Sequence, residues 1–247
     1  MDHVIPHPGR RTGPTDRQVS ARRLARSVAA VRDHGRSDGP ALSTIVLDLG
    51  GVVVPTLFEV VDDSSFPSGP FGHDPKYADV ESGRIQERDY WAQLSASRPD
   101  LDIASFMRTR LSVRDEVRAM LPEMRGRVRI AALTNDMGHW FGEDWRTRFP
   151  DFTHFDVLLE ASRYGVLKPD PAVFRWALGE LDTPAHRCLF VDDLPSNLRG
   201  ASAVGMATEL FSVTDPSGSV RRILDRLWIR PNTAPGGAFF PEKRRHV

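Results

Sequence analysis

The chain has one cysteine, three lysines and no long apolar run, and each shortage narrows what the protein can be. Cys188 alone cannot form an intrachain disulfide, so the sequence fits a reducing compartment. No apolar run approaches the ~20 residues of a membrane-spanning helix, and the first residues lack the apolar core of a secretory signal. We therefore expect a cytoplasmic protein without a membrane partner.

Neither positive nor negative charge is in excess in this sequence. Lys and Arg number 33, as do Asp and Glu, so the formal net charge is zero. Nothing global therefore indicates a nucleic-acid partner or an anionic surface. Arginine supplies nearly all the positive charge, which makes a lysine within a motif conspicuous; the three are Lys76, Lys168 and Lys243.

The stretch from Ser43 to Val54 organises the rest of the chain. A β-branched apolar run, Ile45 to Leu47, ends in Asp48 and is followed by Gly50 and Gly51. Apolar residues without helical spacing predict a strand buried on both faces. In parallel α/β sheets, ligands bind at the carboxyl ends of such strands. The other interpretation is a strand and hairpin in which Asp48 is only a turn residue.

Two terminal segments are predicted to lie outside the folded domain. Residues 1–40 are rich in arginine, proline and glycine, with too few large apolar residues to order themselves. We expect a disordered tail there, and a second tail over 229–247. An RNA-contacting or targeting arm is the alternative for 1–40, which the acidic residues in the segment disfavour.

The middle of the chain predicts an all-helical insertion. Helical patterns cover 77–83, 86–97, 103–111 and 114–124 without a convincing strand. A crossover between parallel strands needs far fewer residues. We therefore expect a helical cap over 58–123, inserted into a core formed by 41–57 and 124–228.

Strands and helices alternate in the rest of the core. Further strands are predicted over 128–133, 155–159, 188–191 and 206–211, and helices over 140–149, 172–181, 196–204 and 220–228. This alternation predicts an α/β fold with a doubly wound parallel sheet.

Polar residues follow the first, second and fourth strands. They are Asp48; Thr134 and Asn135; and Asp192 and Asp193. Each has a plain interpretation as a cap or turn residue, and Lys168 in the preceding loop has one as a surface lysine. A parallel sheet would nevertheless bring all of them to one edge, which predicts a site there.

Four motifs resemble those of the haloacid dehalogenase-like hydrolases, in the branch with a helical cap after the first strand. They are Leu47-Asp48-Leu49-Gly50-Gly51-Val52, Leu133-Thr134-Asn135, Gly165-Val166-Leu167-Lys168-Pro169-Asp170-Pro171 and Phe190-Val191-Asp192-Asp193-Leu194-Pro195-Ser196-Asn197. The resemblance implies a Rossmann-like core and Mg²⁺-dependent catalysis by an aspartate nucleophile. The usual reaction is removal of phosphate from a small metabolite.

The resemblance also implies roles for individual residues. Asp48 is the expected nucleophile, and Lys168 is expected to place its charge on the phosphate. The predicted metal ligands are Asp48, Asp193 and the Gly50 carbonyl, with Asp192 orienting a metal-bound water; Thr134, Asn135 and Gly51 complete the phosphate site with Lys168, and Asn197 supports Lys168 or Asp193. Hard oxygen ligands are those that Mg²⁺ prefers.

One position departs from the family pattern. Most phosphatases of this family have a second Asp two residues after the nucleophile, on the same side of the strand, where this chain has Gly50. That Asp protonates the leaving oxygen, a contribution of ~10²–10⁴-fold. Asp136, His139 and His73 are the candidate substitutes, each with a plain structural interpretation as well.

Three functions remain open at this point. The leading hypothesis is a phosphatase acting on a small phosphorylated substrate, as a monomer or homodimer. The second is a hydrolase of carbon–halogen or carbon–phosphorus bonds, and the third is a non-catalytic phosphate-binding domain. Gly50 favours the third, whereas the presence of Asp48, Lys168 and Asp193 together disfavours it.

Overall fold

The computed structural model describes residues 42–229, and in them five parallel strands form one sheet. The strands are β1 (Thr44–Leu47), β2 (Arg129–Thr134), β3 (Val157–Glu160), β4 (Cys188–Asp192) and β5 (Ala207–Leu210). The doubly wound parallel sheet is therefore confirmed. The predicted tails, 1–40 and 229–247, lie outside the described residues, apart from the buried Ile229.

The strand order is β3-β2-β1-β4-β5, so β1 lies at the centre. From β1 the chain proceeds outward through β2 to β3, and then crosses to β4 and β5. The point where strand order reverses therefore lies between β1 and β4, the usual position of a ligand site in such sheets. Leu47 is in register with Ala132 on one side and Val191 on the other. The residues that follow these strands thus lie at the same edge.

Helices connect the strands and cover both faces of the sheet. They are α1 (Leu57–Val60), α2 (Pro75–Ser82), α3 (Glu87–Ser97), α4 (Ile103–Arg110), α5 (Asp115–Met124), α6 (Met137–Phe141), α7 (Trp145–Arg148), α8 (Ala161–Tyr164), α9 (Pro171–Leu181), α10 (Pro195–Ser202) and α11 (Pro216–Arg226). Among residues 42–229, no helix combines the length and the apolar character needed to cross a membrane.

Alternate residues of β1 pack into different layers. Val46 belongs to a buried cluster with Phe174 of α9, whereas Ile45 and Leu47 belong to a cluster on the other face with Ile223 of α11. This follows from the period of two along a strand. Because both faces of β1 are buried, its only route to a ligand is the carboxyl end, where Asp48 lies.

Helices α1 to α4 lie in the segment predicted as the cap and are called the cap helices below; an aromatic cluster joins α1, α2 and α3. Phe58 lies at its centre, with its ring centroid 4.8 Å from that of Tyr77 and 4.9 Å from that of Trp91. Tyr90 and Phe66 complete the cluster. Aromatic pairs of this kind contribute about 0.5–1.5 kcal/mol each beyond their burial, so α1, α2 and α3 pack together, and α4 contacts α1. They contact the core where α2 meets α10 and α4 meets α6.

Two local predictions differ from the structure. The helix expected over 140–149 is two short helices, α6 and α7, because Gly142 adopts a φ of +91° and ends the first. No helical pattern is predicted between the first strand and residue 77, but this part of the chain contains α1 and a 3₁₀ turn, Gly69–Phe71. Helix α5, which ends the predicted cap segment, packs against α11.

Candidate active site

Asp48 follows β1 directly and is held on one side by two donors. Its Oδ1 accepts a hydrogen bond from the Leu49 N–H at 2.7 Å and lies 2.9 Å from the Lys168 ammonium. The residue is only 8% exposed. Burial raises the pKa of Asp48 to about 8, although the charge of Lys168 opposes this shift. A carboxylate in this position therefore needs positive charge nearby to remain ionised at neutral pH.

Lys168 is buried between two carboxylates. Its Nζ lies 2.8 Å from Asp192 Oδ2 and 2.9 Å from Asp48 Oδ1, and the residue is 1% exposed. Burial acts to lower the pKa of Lys168, but the charges of Asp192 and Asp48 together outweigh it and raise this pKa above its ordinary value. Lys168 is therefore a fixed positive charge at the strand ends.

The loop that carries Lys168 is fixed by its neighbours on the sheet edge. Asn135 Oδ1 accepts a hydrogen bond from the Lys168 N–H at 2.9 Å, and Asn135 Nδ2 donates to the Lys168 carbonyl at 3.3 Å. Gly200 of α10 allows the helix to approach this loop, since an added Cβ would lie 2.1 Å from the Pro169 carbonyl oxygen. The side chain of Asn135 thus positions Lys168.

Asp192 holds Lys168, Leu194 and Asn197 in place through hydrogen bonds. It is fully buried, and its oxygens accept hydrogen bonds from Lys168 Nζ, from the Leu194 N–H at 2.9 Å and from Asn197 Nδ2 at 3.0 and 3.1 Å. The sequence predicted that Asn197 supports Lys168 or Asp193, whereas its side chain donates to Asp192. Its support of Lys168 passes through the Asp192 carboxylate.

Three carboxylates converge at the ends of β1 and β4. Asp48, Asp192 and Asp193 each offer an oxygen within 4.8 Å of the others. Burial raises the pKa of Asp193 well above its usual range, and the charges of Asp192, Glu87 and Asp48 add to this. With all three ionised, the Lys168 ammonium balances only one negative charge. A hard divalent cation with oxygen ligands, such as Mg²⁺, fits this donor set.

The turn after Asp48 requires glycine at one position and leaves room at the other. Gly51 has a φ of +72°, and an added Cβ would lie 2.3 Å from Asp193 Oδ2. At Gly50 an added Cβ would meet no heavy atom within 4 Å. Arg114 fixes the turn by donating to the carbonyls of Gly51 and Val52, at 2.9 and 3.2 Å, while its guanidinium pairs with Glu59.

A pocket opens from the sheet edge toward the cap helices. It is lined by several of the residues predicted from the sequence: Asp48, Gly50, Gly51, Thr134, Asn135, Lys168 and Asn197. Asp192 lies behind Lys168, and Asp193 lies beside Gly51. The side of the pocket that faces the cap contains mainly apolar side chains.

Glu87, at the start of α3, is a pocket residue that sequence reasoning missed. Its Oε1 accepts a hydrogen bond from Trp91 Nε1 at 3.1 Å, and burial raises the pKa of Glu87 to about 6. The preceding residue, Gln86, joins the cap to the sheet edge: it donates to the Lys168 carbonyl at 3.2 Å and accepts from Asn135 at 3.3 Å. Only this position under the cap distinguishes Glu87 from an ordinary acidic residue in a first helical turn.

The three predicted substitutes for the missing acid lie in different places. Asp136 lines the pocket, and its Oδ2 lies 3.5 Å from Arg88 Nη1. His139 is exposed and packs edge-on against Trp140. His73 is exposed and lines a separate surface depression near Tyr90. The two histidines are therefore not among the residues that line the pocket with Asp48.

Two fungal proteins are similar to this chain in sequence. The sesquiterpene phosphatase astK of Aspergillus oryzae is 30% identical over 169 residues, which cover 65% of this chain and 85% of that protein. The drimenol cyclase drtB of Aspergillus calidoustus is 28% identical over 201 residues, 76% of this chain. This chain spans only 37% of the cyclase's length.

A solved structure has the same fold. The L-2-haloacid dehalogenase RSc1362 superposes with a TM-score of 0.54 at 17% identity, covering 76% of this chain and all of the dehalogenase. Residues 42–205 match the model of the haloacid dehalogenase-like hydrolases, a span that contains β1 to β4 and every residue of the pocket described above. The chain is a member of the haloacid dehalogenase-like hydrolase family.

Proposed function

We propose that the protein is a Mg²⁺-dependent phosphatase that hydrolyses phosphate monoesters through an aspartyl-phosphate on Asp48. The observation that carries this proposal is the arrangement of Lys168 between Asp48 and Asp192, with Asp193 within ligand distance. A phosphate dianion and a carboxylate nucleophile repel each other unless positive charge lies between them. The 30% identity to a sesquiterpene phosphatase supports the same reaction.

The metal would be held by Asp48, Asp193 and the Gly50 carbonyl. When bound, Mg²⁺ would neutralise the carboxylates and the phosphate oxygens. Asp192 already accepts four hydrogen bonds within the protein, so we assign it to support of Lys168 and of a metal-bound water. Thr134, Asn135 and Gly51 would contact the phosphate oxygens.

The reaction proceeds in two displacements. A carboxylate oxygen of Asp48 attacks phosphorus, the bond from phosphorus to the alcohol oxygen breaks, and the alcohol leaves with a proton. Water then attacks the phosphorus of the aspartyl-phosphate, which releases inorganic phosphate and restores Asp48. Covalent catalysis by a carboxylate is established in other phosphoryl-transfer enzymes. Lys168 stabilises the charge that develops on the phosphoryl oxygens in both steps.

Glu87 is the residue we assign to the proton. Gly50 has no side chain to donate one. Burial raises the pKa of two carboxyl groups in the pocket, Glu87 and Asp136, and the charge of Arg88 opposes this shift at Asp136. Glu87 faces the same pocket, and its raised pKa of about 6, caused by burial, keeps part of it protonated near neutral pH. It would donate to the leaving alcohol and then accept a proton from the attacking water.

A second candidate function is phosphate binding without turnover, which Gly50 favours. The two functions give different results in one experiment. Purified protein with Mg²⁺ and a phosphate monoester is assayed for inorganic phosphate, and acid-quenched samples are searched by mass spectrometry for a phosphorylated Asp48 peptide.

The phosphatase proposal expects phosphate release, a phosphorylated Asp48 peptide, and loss of both in Asp48→Asn, by at least ~10⁴-fold in rate because the amide is not nucleophilic. Asp48→Asn should remain folded by circular dichroism. Binding of inorganic phosphate in calorimetry with no turnover of any ester would favour the binding function. Turnover by the folded Asp48→Asn protein would contradict the mechanism.

A further inference from the structure

The pocket above Asp48 has two regions of opposite character. Its floor, at the ends of the strands, contains Asp48, Lys168 and Thr134. Its walls come largely from the cap helices and from α6, and they are aromatic, aliphatic or thioether side chains: Leu57, Trp91, Met107, Leu111, Trp140 and Phe141. A phosphate bound at the floor would thus direct the rest of its molecule between apolar walls.

Two polar side chains along these walls, Gln86 and Thr56, are already paired within the protein. Gln86 donates to the Lys168 carbonyl and accepts from Asn135. The Thr56 hydroxyl donates to Glu59 at 3.1 Å. Hydroxyl groups of a sugar or nucleoside phosphate that lie against these two side chains would find no free partner in them, and a buried polar group without a partner is unfavourable.

A hydrocarbon chain, in contrast, would bind favourably against these walls. Each methylene that leaves water for an apolar pocket contributes a factor of about fourfold in binding. Aromatic rings and methionine side chains also adapt to irregular aliphatic shapes. The lining contains both kinds of side chain, with Met107 and Leu111 at the end of α4 and Trp140 and Phe141 in α6.

We propose that the substrate is the monophosphate of an alcohol with a hydrocarbon chain, whose chain lies against the pocket-lining side chains of α4 and α6 while its phosphate contacts Lys168 and Thr134. This inference rests on the proposed phosphatase function and adds the substrate class to it. Recognition follows from apolar burial rather than from hydrogen bonds to the alcohol portion.

The first test uses the unmodified protein and needs no variant. Initial rates are measured for n-propyl, n-butyl, n-hexyl and n-octyl phosphates below their micelle concentrations, with glycerol 3-phosphate as the polar match for n-propyl phosphate. These are all primary alkyl esters, so the leaving groups have similar basicity. We expect kcat/KM to rise severalfold for each added pair of methylenes, and n-propyl phosphate to exceed glycerol 3-phosphate by at least tenfold.

The second test uses two half-buried tryptophans. Trp140 lines the pocket, whereas Trp176 of α9 stacks on Tyr164 away from it. Trp140→Ala should lower kcat/KM for n-octyl phosphate by tenfold or more and for n-propyl phosphate by less than threefold. Trp176→Ala should leave kcat/KM unchanged for both substrates.

The outcomes separate this inference from the function on which it rests. A flat chain-length series, or glycerol 3-phosphate turned over faster than n-propyl phosphate, would overturn the substrate class and leave the phosphatase intact. No turnover of any ester, including p-nitrophenyl phosphate, by folded protein with Mg²⁺ would overturn the phosphatase proposal and this inference with it.

Discussion

The floor of the pocket and its apolar walls are stabilised by different interactions. At the floor, Lys168 lies 2.9 Å from Asp48 and 2.8 Å from Asp192, so each charged group depends on the others. In the walls, side chains such as Leu57 and Met107 pack by apolar contact alone, and Glu87 is the carboxylate that the cap helices contribute to the pocket.

This difference predicts how the two regions respond to substitution. A change at the floor alters charge that any phosphate ester requires, and it also leaves buried charges without partners. A change in the walls alters only what lies beyond the phosphate, so its effect depends on the substrate. Four predictions test this distinction, from the largest expected effect to the smallest.

Replacing Lys168 with Met should have the largest effect, on both activity and stability. Removing one partner of a buried ion pair commonly costs about 3–5 kcal/mol, and here Asp48 and Asp192 would both lose theirs. We expect the free energy of unfolding of the metal-free protein to fall by this amount, measured by urea denaturation. We also expect kcat to fall by ~10³-fold or more, because the charge opposite the phosphoryl oxygens is lost.

The matched control is Lys76→Met, which removes the same side chain from the exposed surface of α2. Its free energy of unfolding should change by less than about 0.5 kcal/mol. Equal losses of unfolding free energy in Lys168→Met and Lys76→Met would show that the buried ion pairs do not stabilise the floor of the pocket.

Glu87→Gln tests the one titratable wall residue to which we assign a chemical role. We expect kcat for alkyl phosphates to fall by ~10²-fold, as for loss of a general acid, and kcat for aryl phosphates to fall much less because their leaving groups need less protonation. The wild-type rate on alkyl phosphates should decrease as pH rises through about 6, since Glu87 must be protonated to donate.

The pH profile itself is the control for a merely structural role. In Glu87→Gln the decrease near pH 6 should be absent, whereas a packing defect would lower the rate equally at all pH values. Glu81→Gln, a change on α2 outside the pocket, should leave the profile unchanged.

The third prediction concerns stability and metal. Burial raises the pKa of Asp48 to about 8 in the folded protein, against an ordinary value near 3.8, so between these values the folded state binds more protons than the unfolded state. Stability of the metal-free protein should therefore fall as pH rises from about 4 to 8. Mg²⁺ should raise the melting temperature by several degrees at pH 8 and by little at pH 5.

Asp193→Asn is the comparison for this measurement. It removes one of the converging carboxylates, so the metal-free variant should lose less stability with rising pH and respond more weakly to Mg²⁺. A melting temperature of the wild-type protein that Mg²⁺ leaves unchanged at pH 8 would contradict the metal site.

The floor could be predicted from the sequence because strand ends have a clear pattern. Buried apolar runs end at Asp48, Thr134 and Asp192, and a parallel sheet brings such ends to one edge. Lys168 was conspicuous because lysine is rare in this chain. The bonding partner of Asn197 was not predictable, since its donor could reach any of several carboxylates.

The walls could not be predicted in the same way. An acidic residue such as Glu87 in the first turn of a helix is typical of the favourable interaction with the helix dipole, so nothing in the sequence marks it as a pocket residue. Arg114 precedes a helix and has the pattern of a surface residue, yet it is buried against the Gly51 carbonyl. Both positions follow from how the cap helices meet the sheet, which depends on contacts between residues far apart in the chain.

Gly50→Asp should have the smallest effect of the four when it is made in the wild-type protein. Made in the Glu87→Gln variant, it tests directly whether Glu87 supplies the proton. An added Cβ meets no heavy atom within 4 Å, so the backbone at this position leaves room for the first atom of a side chain. If Glu87 already supplies the proton, a second carboxylate is redundant, and kcat for alkyl phosphates should change by less than threefold. In the Glu87→Gln background the same substitution should recover about tenfold, because the new carboxylate can then donate to the leaving oxygen. Gly50→Asn has the same shape without an acid and should recover nothing. Equal gains from Asp and Asn would mean that the substitution acts on the shape of the turn, and a gain of tenfold in the wild-type background would mean that Glu87 does not supply the proton.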